Sequence, residues 1–303
     1  MSGRFRLGLD EAGYGPRLGP LVVGCVRTRG ARADVRKVFA RKSSVLPKVQ
    51  DSKKLYRGTL APLETVALAA RSVVMGERPR TLAEFLGNVP DRLSDHPWYG
   101  QLECQLPLVA EPGRVDGAAE LMRRRLDRYG AALEVGEARP VLEGDFNRRL
   151  LAEDNKAYVE LGVLEALLDE HLPAGESGHV LCDRLGGRKM YGDWLAGLLP
   201  FWKLDVEEER PRRSAYTASQ GGAEVRFRFL VAGEDQEVEI ALASCLAKYA
   251  REAMMTVFNR YWERRRKHVT PTAGYWQDAG RWLEAMAGDT AFEASKERLI
   301  RRR

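Results

Sequence analysis

The chain has 303 residues, of which 44% are hydrophobic and 30% are charged, and its formal net charge is +6. This balance excludes a chain that is disordered as a whole, and the positive charge favours a polyanionic partner. The four cysteines form no C-x-x-C pair, which argues against a zinc site or a disulfide framework. A signal-peptide core is absent and the apolar run at residues 18–26 is too short to span a membrane, so the sequence predicts a soluble cytoplasmic protein.

Two adjacent carboxylates, Asp10 and Glu11, follow the apolar run at residues 5–9 and precede a turn that contains Gly13 and Gly15. Side chains alternate along a strand, so we expect the strand to end at Glu11 if both acids are to serve one site. Neighbouring carboxylates repel each other and are costly to bury without a cation, and their hard oxygens suit Mg²⁺ or Mn²⁺. A solvated turn between two strands is the plain alternative for this pair.

The next segments predict a second strand and a helix. Residues 20–28 are rich in Val and Leu and follow the glycine turn closely, which predicts a buried strand antiparallel to the first. A basic stretch leads to Ser52, a candidate helix cap, and residues 59–74 predict a helix or a helix that runs into a strand.

Residues 76–132 differ from their surroundings, with many Pro and Gly residues and an amphipathic helix near residues 117–129. We interpret them as an insertion or subdomain of unknown role, which leaves residues 1–75 and 133–303 as the main domain. The arginines at positions 123–125 favour a solvated helix face over a contact surface.

Later segments continue the alternation of strands and helices. Residues 133–143 predict a strand and residues 154–172 a helix with a buried stripe. A short strand at residues 179–182 then ends in Asp183 before a glycine turn, which repeats the arrangement at Asp10. Residues 239–252 predict a closely packed helix that continues toward Trp262, and residues 278–303 are helical in pattern. This alternation predicts an α/β fold.

Several segments, in order, resemble one family. Residues 10–20 read Asp-Glu-Ala-Gly-Tyr-Gly-Pro-Arg-Leu-Gly-Pro, which resembles the opening motif of the type 2 ribonucleases H, the ribonuclease HII family. Asp-Ser-Lys-Lys-Leu at residues 51–55 is similar to that family's second signature. The helix at residues 240–252 is similar to its Ile-x-Ala-Ala-Ser-x-x-Ala-Lys-x-x-Arg-Asp segment, and Gly-Tyr at residues 274–275 is similar to a later one.

The resemblance implies a ribonuclease H-like fold, with a mixed central sheet that opens antiparallel and is flanked by helices. It also implies four catalytic acids that hold Mg²⁺ or Mn²⁺, which are Asp10, Glu11, Asp183 and Glu234. Glu234 is selected by counting back without gaps from Ser244, at a position where the family usually has Asp. A slip of one residue would select Asp235 instead.

Substrate contacts are implied for the turn of Gly13, Tyr14 and Gly15, and for Ser52, Lys53, Lys54, Lys248 and Tyr275. The turn would offer backbone groups to a ribose 2′-hydroxyl, the group that distinguishes RNA from DNA. The family has Arg or Lys where this chain has Tyr14, so the chain lacks a charge that would bind phosphate.

The expected activity is metal-dependent hydrolysis of the RNA strand, or of embedded ribonucleotides, in RNA/DNA duplexes, by a monomer with no membrane partner. One alternative is a ribonuclease H-fold nuclease that acts on a DNA structure. The other is a non-catalytic nucleic-acid-binding relative. The four mutually repelling carboxylates argue against this last alternative, since a protein without catalysis has no physical need for them.

Overall fold

The structure is a computed structural model that describes residues 4–56, 58–87, 92–153 and 155–302. Within these ranges a seven-stranded sheet forms the centre of the molecule, in the order β3-β2-β1-β4-β7-β6-β5. The strands are β1 (Phe5–Ala12), β2 (Leu21–Arg29), β3 (Ala132–Val141), β4 (Gly178–Asp183), β5 (Lys203–Arg210), β6 (Arg213–Gln220) and β7 (Ala223–Leu230).

The pairing brings three strand ends to one edge of the sheet. β1 is antiparallel to β2, with Asp10 opposite Gly24, and parallel to β4, with Leu9 opposite Cys182. β4 is in turn parallel to β7, where Asp183 pairs with Leu230. The carboxyl ends of β1, β4 and β7 therefore lie side by side, and this edge carries the acidic residues.

Helices cover both faces of the sheet. They are α1 (Arg32–Phe39), α2 (Ser52–Leu55), α3 (Ala61–Met75), α4 (Leu82–Leu86), α5 (Pro112–Arg128), α6 (Glu143–Glu153), α7 (Lys156–His171), α8 (Gly192–Leu198), α9 (Val238–Arg265), α10 (Trp276–Met286) and α11 (Thr290–Leu299). Short 3-10 turns occupy Leu93–Asp95, Pro97–Tyr99 and Gly233–Asp235. None of the helices in the described ranges has both the length and the apolar character that crossing a membrane requires.

Two buried clusters lie on opposite faces of the sheet. One contains Val22 and Val26 of β2 together with apolar residues of α3, α5 and α9. The other contains Leu9 of β1 and Val23 of β2 together with apolar residues of α7 and α8. The mixed sheet, its antiparallel opening and its flanking helices confirm the predicted ribonuclease H-like α/β architecture.

Several local expectations are changed by the structure. β1 continues through Ala12, one residue beyond the expected end, and the segment predicted at residues 59–74 forms the helix Ala61–Met75 without a following strand. The N-cap of α2 is Asp51, whose side chain accepts from the Lys53 amide, so Ser52 is not the cap. The hairpin of β5 and β6 was not predicted. Residue 154 of the predicted helix and residue 303 of the C-terminal one lie outside the described residues.

The described parts of the segment at residues 76–132, which are residues 76–87 and 92–132, pack against the main sheet and helices. α5 lies along α3, and Trp98 and Met122 belong to the same buried cluster as α9. Glu64 of α3 accepts hydrogen bonds from the backbone amides of Leu108, Val109 and Ala110 and from the hydroxyl of Tyr249. This segment therefore shares the core of its neighbours, and its origin as an insertion stays a prediction.

Candidate active site

A cavity of about 310 Å³ lies at the sheet edge where β1, β4 and β7 end. It is lined by all the predicted site residues except Lys54, and also by Asp51 and Ser244. The lining residues from the prediction are Asp10, Glu11, Gly13, Tyr14, Gly15, Ser52, Lys53, Asp183, Glu234, Lys248 and Tyr275. Segments far apart in sequence therefore meet at a single acidic cavity.

Asp10 and Glu11 face different helices because side chains alternate along β1. Asp10 lies beside Ser244 of α9, and its Oδ1 accepts from the Glu11 amide at 2.8 Å. Burial and the neighbouring Glu11 and Asp183 carboxylates raise the pKa of Asp10 well above its usual value. For Glu11, burial and the nearby Glu160 and Asp183 carboxylates also raise the pKa strongly. Both acids thus serve the cavity from opposite faces of the strand.

Asp183 and Glu234 complete the predicted acidic set. Oδ1 of Asp183 accepts from the Gly233 amide at 2.7 Å, which ties the end of β4 to the turn that carries Glu234. Burial raises the pKa of Asp183 to about 6. Oε2 of Glu234 is buried without a hydrogen-bond donor, whereas Asp235 lies outside the cavity and accepts from Lys54 at 2.8 Å.

The acids fit a centre for hard divalent cations. Oε2 of Glu11 and Oε2 of Glu234 are buried oxygens without donors, and carboxylate oxygens are the ligands that Mg²⁺ and Mn²⁺ prefer. In the described residues, no three of the cavity acids have ligand oxygens that all lie within 4.8 Å of one another. An ion held by these acids would therefore need water or phosphate oxygens among its ligands, as is usual for Mg²⁺.

Cationic and aromatic side chains line the other side of the cavity. Ser52 accepts from the Ser244 hydroxyl at 3.1 Å, which joins α2 to α9 beside Asp10. Lys248 pairs with Glu252 at 2.5 Å, and its ammonium lies 5.9 Å from the ring centroid of Tyr275. Lys54, by contrast, is directed to Asp235 and a neighbouring pocket.

The Gly13-Tyr14-Gly15 turn is held from beneath by the C-terminal segment. The guanidinium of Arg301 is buried, and it donates to the carbonyl oxygens of Gly13 and Tyr14. The Tyr14 ring packs against Gly186 in the loop after Asp183, where a Cβ atom would lie only 2.6 Å from its hydroxyl oxygen. The turn is therefore held by Arg301 through its backbone and by the loop after Asp183 through the Tyr14 ring.

Two residues at this site were missed from sequence. Glu160 of α7 is fully buried among the cavity acids, and burial raises its pKa to about 8. Its sequence signal was a charge within the apolar stripe that continues through Leu164 and Leu167. Arg301 gave no signal, because its role depends on contacts with residues almost the whole chain length away.

The chain is similar in fold to solved ribonucleases H. The ribonuclease HII of Archaeoglobus fulgidus, solved in complex with PCNA, is 14% identical over 99% of this chain and 94% of that chain, with a TM-score of 0.45. The ribonuclease H2 of Pyrococcus horikoshii is 12% identical over 97% and 92%, with a TM-score of 0.44. Bst-RNase HIII in complex with Mn²⁺ is 13% identical over 98% and 66%, also with a TM-score of 0.44.

No protein-family model matches the sequence, and no curated protein matches it either. The function of the cavity is therefore inferred from its own residues.

Proposed function

We propose that this chain is a divalent-metal-dependent endonuclease that hydrolyses the RNA strand, or embedded ribonucleotides, of RNA/DNA duplexes. The observation that carries the proposal is the meeting of Asp10, Glu11, Asp183 and Glu234 at one cavity that also contains the Gly13–Gly15 turn. The chain has a formal net charge of +6, which favours a polyanionic substrate.

The four acids would hold Mg²⁺ or Mn²⁺. When bound, two such ions supply an activated water and neutralise charge on the attacking and leaving oxygens of a phosphodiester. The protein positions the ligands in advance, since the Glu11 amide fixes Asp10 and the Gly233 amide fixes Asp183. Lys53 lines the same cavity, and its charge lowers the pKa of Asp183, which favours the carboxylate form that binds cations.

Recognition of RNA would come from the turn at Gly13, Tyr14 and Gly15. Arg301 holds the carbonyl oxygens of Gly13 and Tyr14, so the turn keeps one conformation beside the acids. A fixed backbone can present hydrogen-bonding groups to a ribose 2′-hydroxyl. Tyr275 is partly exposed at the cavity, where its ring can stack on a sugar or base.

A second candidate is a nuclease that acts on a DNA structure. It is favoured by Tyr14, which replaces a charged residue of the resembled family with a half-buried ring. Stacking on an aromatic ring is tolerant of sequence and suits an unpaired or distorted strand.

The test compares cleavage of three substrates of the same sequence in Mg²⁺ and in Mn²⁺. They are an RNA/DNA hybrid, a DNA duplex with one ribonucleotide and a flapped all-DNA duplex. We expect cleavage of the first two and none of the third. Cleavage of the flapped DNA alone would support the second candidate, and a lack of cleavage of all three would contradict the proposal.

Tyr14→Ala in the same assay separates recognition by the ring from packing, since a packing role would leave the substrate ranking unchanged.

A further inference from the structure

Glu160 is a buried acidic side chain that no amide, hydroxyl or cationic group of the described residues compensates. It belongs to α7, its side chain is fully buried, and neither of its carboxylate oxygens has a hydrogen-bond partner in the described residues. A buried carboxylate without compensation is costly, because the charge has lost its hydration. Such a group either keeps a proton or has its charge compensated by something outside the protein chain, such as a cation.

The charges of the other buried acids are compensated by hydrogen bonds from the protein. Each of them receives at least one hydrogen bond from the chain. Backbone amides and hydroxyl groups donate to three of them: the Glu11 amide to Asp10, three amides and Tyr249 to Glu64, and the Gly19 amide and Tyr99 to Glu143. Arginines donate to the other two: Arg6 and Arg32 to Glu237, and Arg6, together with the Thr28 hydroxyl, to Glu239. Among the buried acids of the described residues, Glu160 is the one that receives no hydrogen bond from a backbone amide, a hydroxyl or a cationic side chain.

The charged groups that act on Glu160 are all acidic. Its carboxyl lies within hydrogen-bonding reach of the Glu11 carboxyl, and Asp10 and Asp183 are its other charged neighbours. Oε2 of Glu11 is also buried without a donor. A carboxyl group of β1 and one of α7 thus face each other, and no ion pair with a cationic side chain is found for either of them in the described ranges.

We propose that Glu160 is a fifth acidic ligand of the metal centre and holds one divalent cation, Mg²⁺ or Mn²⁺, together with Glu11. This inference rests on the proposed function and adds a ligand that the opening motif and its partner acids do not supply. It explains why a charged residue occupies the apolar stripe of α7. It also places the cation between β1 and α7, on the face of β1 opposite Ser244.

The test measures Mn²⁺ binding alone, by calorimetry on the metal-free full chain without nucleic acid. The variants are Glu160→Gln, Asp10→Asn and, as a control on the exposed face of the same helix, Asp169→Asn. We expect Glu160→Gln to weaken Mn²⁺ binding about tenfold or more, as loss of a metal-site contact commonly does. Asp169→Asn should bind Mn²⁺ as the natural chain does.

Thermal unfolding with and without Mn²⁺ provides a second readout that also checks folding. Without metal, Glu160→Gln should melt at or above the temperature of the natural chain, because the amide relieves repulsion from Glu11. Addition of Mn²⁺ should raise the melting temperature of Glu160→Gln clearly less than it raises that of the natural chain.

The outcomes separate the two proposals. If Glu160→Gln keeps natural Mn²⁺ affinity and the full Mn²⁺-induced shift while Asp10→Asn loses both, Glu160 is not a ligand and the four-acid centre stands. If the natural chain itself binds no Mn²⁺ and shows no shift, the metal centre is refuted and this inference with it.

Discussion

Glu234 and Asp235 are adjacent in sequence but differ in their surroundings. Glu234 lines the cavity with a buried oxygen that lacks a donor, whereas Asp235 is more than half exposed and pairs with Lys54. The difference arises in the turn at Gly233–Asp235, which the Gly233 amide anchors to Asp183. An exposed ion pair of this kind contributes less than about 1 kcal/mol to stability. The geometry thus favours Glu234 as the fourth acid, the residue that counting without gaps from Ser244 selects.

We therefore predict that Glu234→Gln impairs cleavage far more than Asp235→Asn. The first variant removes a carboxylate from the proposed metal centre, while the second removes a surface partner of Lys54. Initial cleavage rates of the single-ribonucleotide duplex in Mg²⁺ provide the measurement. The opposite order of rates would assign the fourth ligand to Asp235.

The pKa of Glu160 leads to a prediction about stability in the absence of metal. Its pKa rises from an ordinary value of 4.5 to about 8 in the folded chain. Between these values the folded protein holds a proton that the unfolded chain has released, so folding is weakened as pH rises. The contribution of Glu160 is fully present below about pH 4.5 and is lost as pH rises through about 8.

We expect the free energy of unfolding in EDTA to fall more steeply from pH 5 to pH 8 for the natural chain than for Glu160→Gln. Urea unfolding at several pH values measures both curves. Asp169→Asn is the control and should follow the natural chain. Parallel curves for the natural chain and Glu160→Gln would mean that Glu160 titrates normally.

At the scale of elements, the site depends on how closely α9 approaches the first two strands. A Cβ atom on Gly8 would lie 2.4 Å from the Glu239 carbonyl carbon, and one on Gly24 would lie 2.1 Å from the Ala243 oxygen. These contacts are with backbone atoms, which cannot rotate away as a side chain can. The glycines therefore set the distance between the sheet and the helix that carries Ser244.

Gly24→Ala should destabilise the fold by about 1–3 kcal/mol or more, the usual cost of overpacking a core. Gly280→Ala is the matched control, because Gly280 lies in α10 with open space at its Cβ position. That control should be neutral or stabilising by roughly 0.5–1 kcal/mol. Urea unfolding gives both values, and a Gly24→Ala variant as stable as the natural chain would show that α9 can move outward at no cost.

The strands and helices that were predicted from sequence are those with strong local patterns. β1, β2, β4, α7 and α9 each carry a buried face that the apolar residues reveal. The hairpin of β5 and β6 was missed because β5 is a largely exposed edge strand, whose sequence Lys-Leu-Asp-Val-Glu-Glu-Glu-Arg lacks a continuous apolar face. Its pairing is fixed by contacts with β6, which a local pattern does not reveal.

The site was predicted in the same uneven way. Acids at strand ends and glycine turns have local signals, so Asp10, Glu11 and Asp183 were selected as candidates, and they line one cavity. Glu160 was missed because the acids near it lie on β1 and at the end of β4, more than twenty residues away in the sequence. The sequence shows a charge in an apolar stripe, but only the fold shows that the charge meets other acids.

At the scale of the whole molecule, distant segments are tied to the site by buried polar contacts. Arg301 holds the Gly13–Gly15 turn from the C-terminal end of the chain. Glu64 joins residues 108–110 to Tyr249 of α9. Residues 76–132 are therefore linked to the helix that forms one wall of the cavity.

Glu64→Gln should destabilise the whole fold by about 2 kcal/mol or more, because hydrogen bonds to a charged group contribute about 1.5–3 kcal/mol each. The NH₂ group of the introduced glutamine would also place a hydrogen-bond donor against backbone amides and a hydroxyl that are themselves donors. Glu120→Gln on exposed α5 is the control and should change stability by less than about 1 kcal/mol. If thermal unfolding finds equal losses for the two variants, Glu64 does not tie this segment to the core.

Cleavage of a duplex with one embedded ribonucleotide tests the central claim most directly, with the natural chain compared with Asp10→Asn and Asp183→Asn. We predict that the natural chain cuts in Mg²⁺ or Mn²⁺ and not in EDTA, and that either variant loses cleavage by a factor of about 10² or more while it stays folded. Removal of one carboxylate relieves repulsion in the metal-free site, so unfolding is not the expected cause of the loss. Cleavage in EDTA, or variants that cut at the natural rate, would contradict a metal-dependent nuclease at this site.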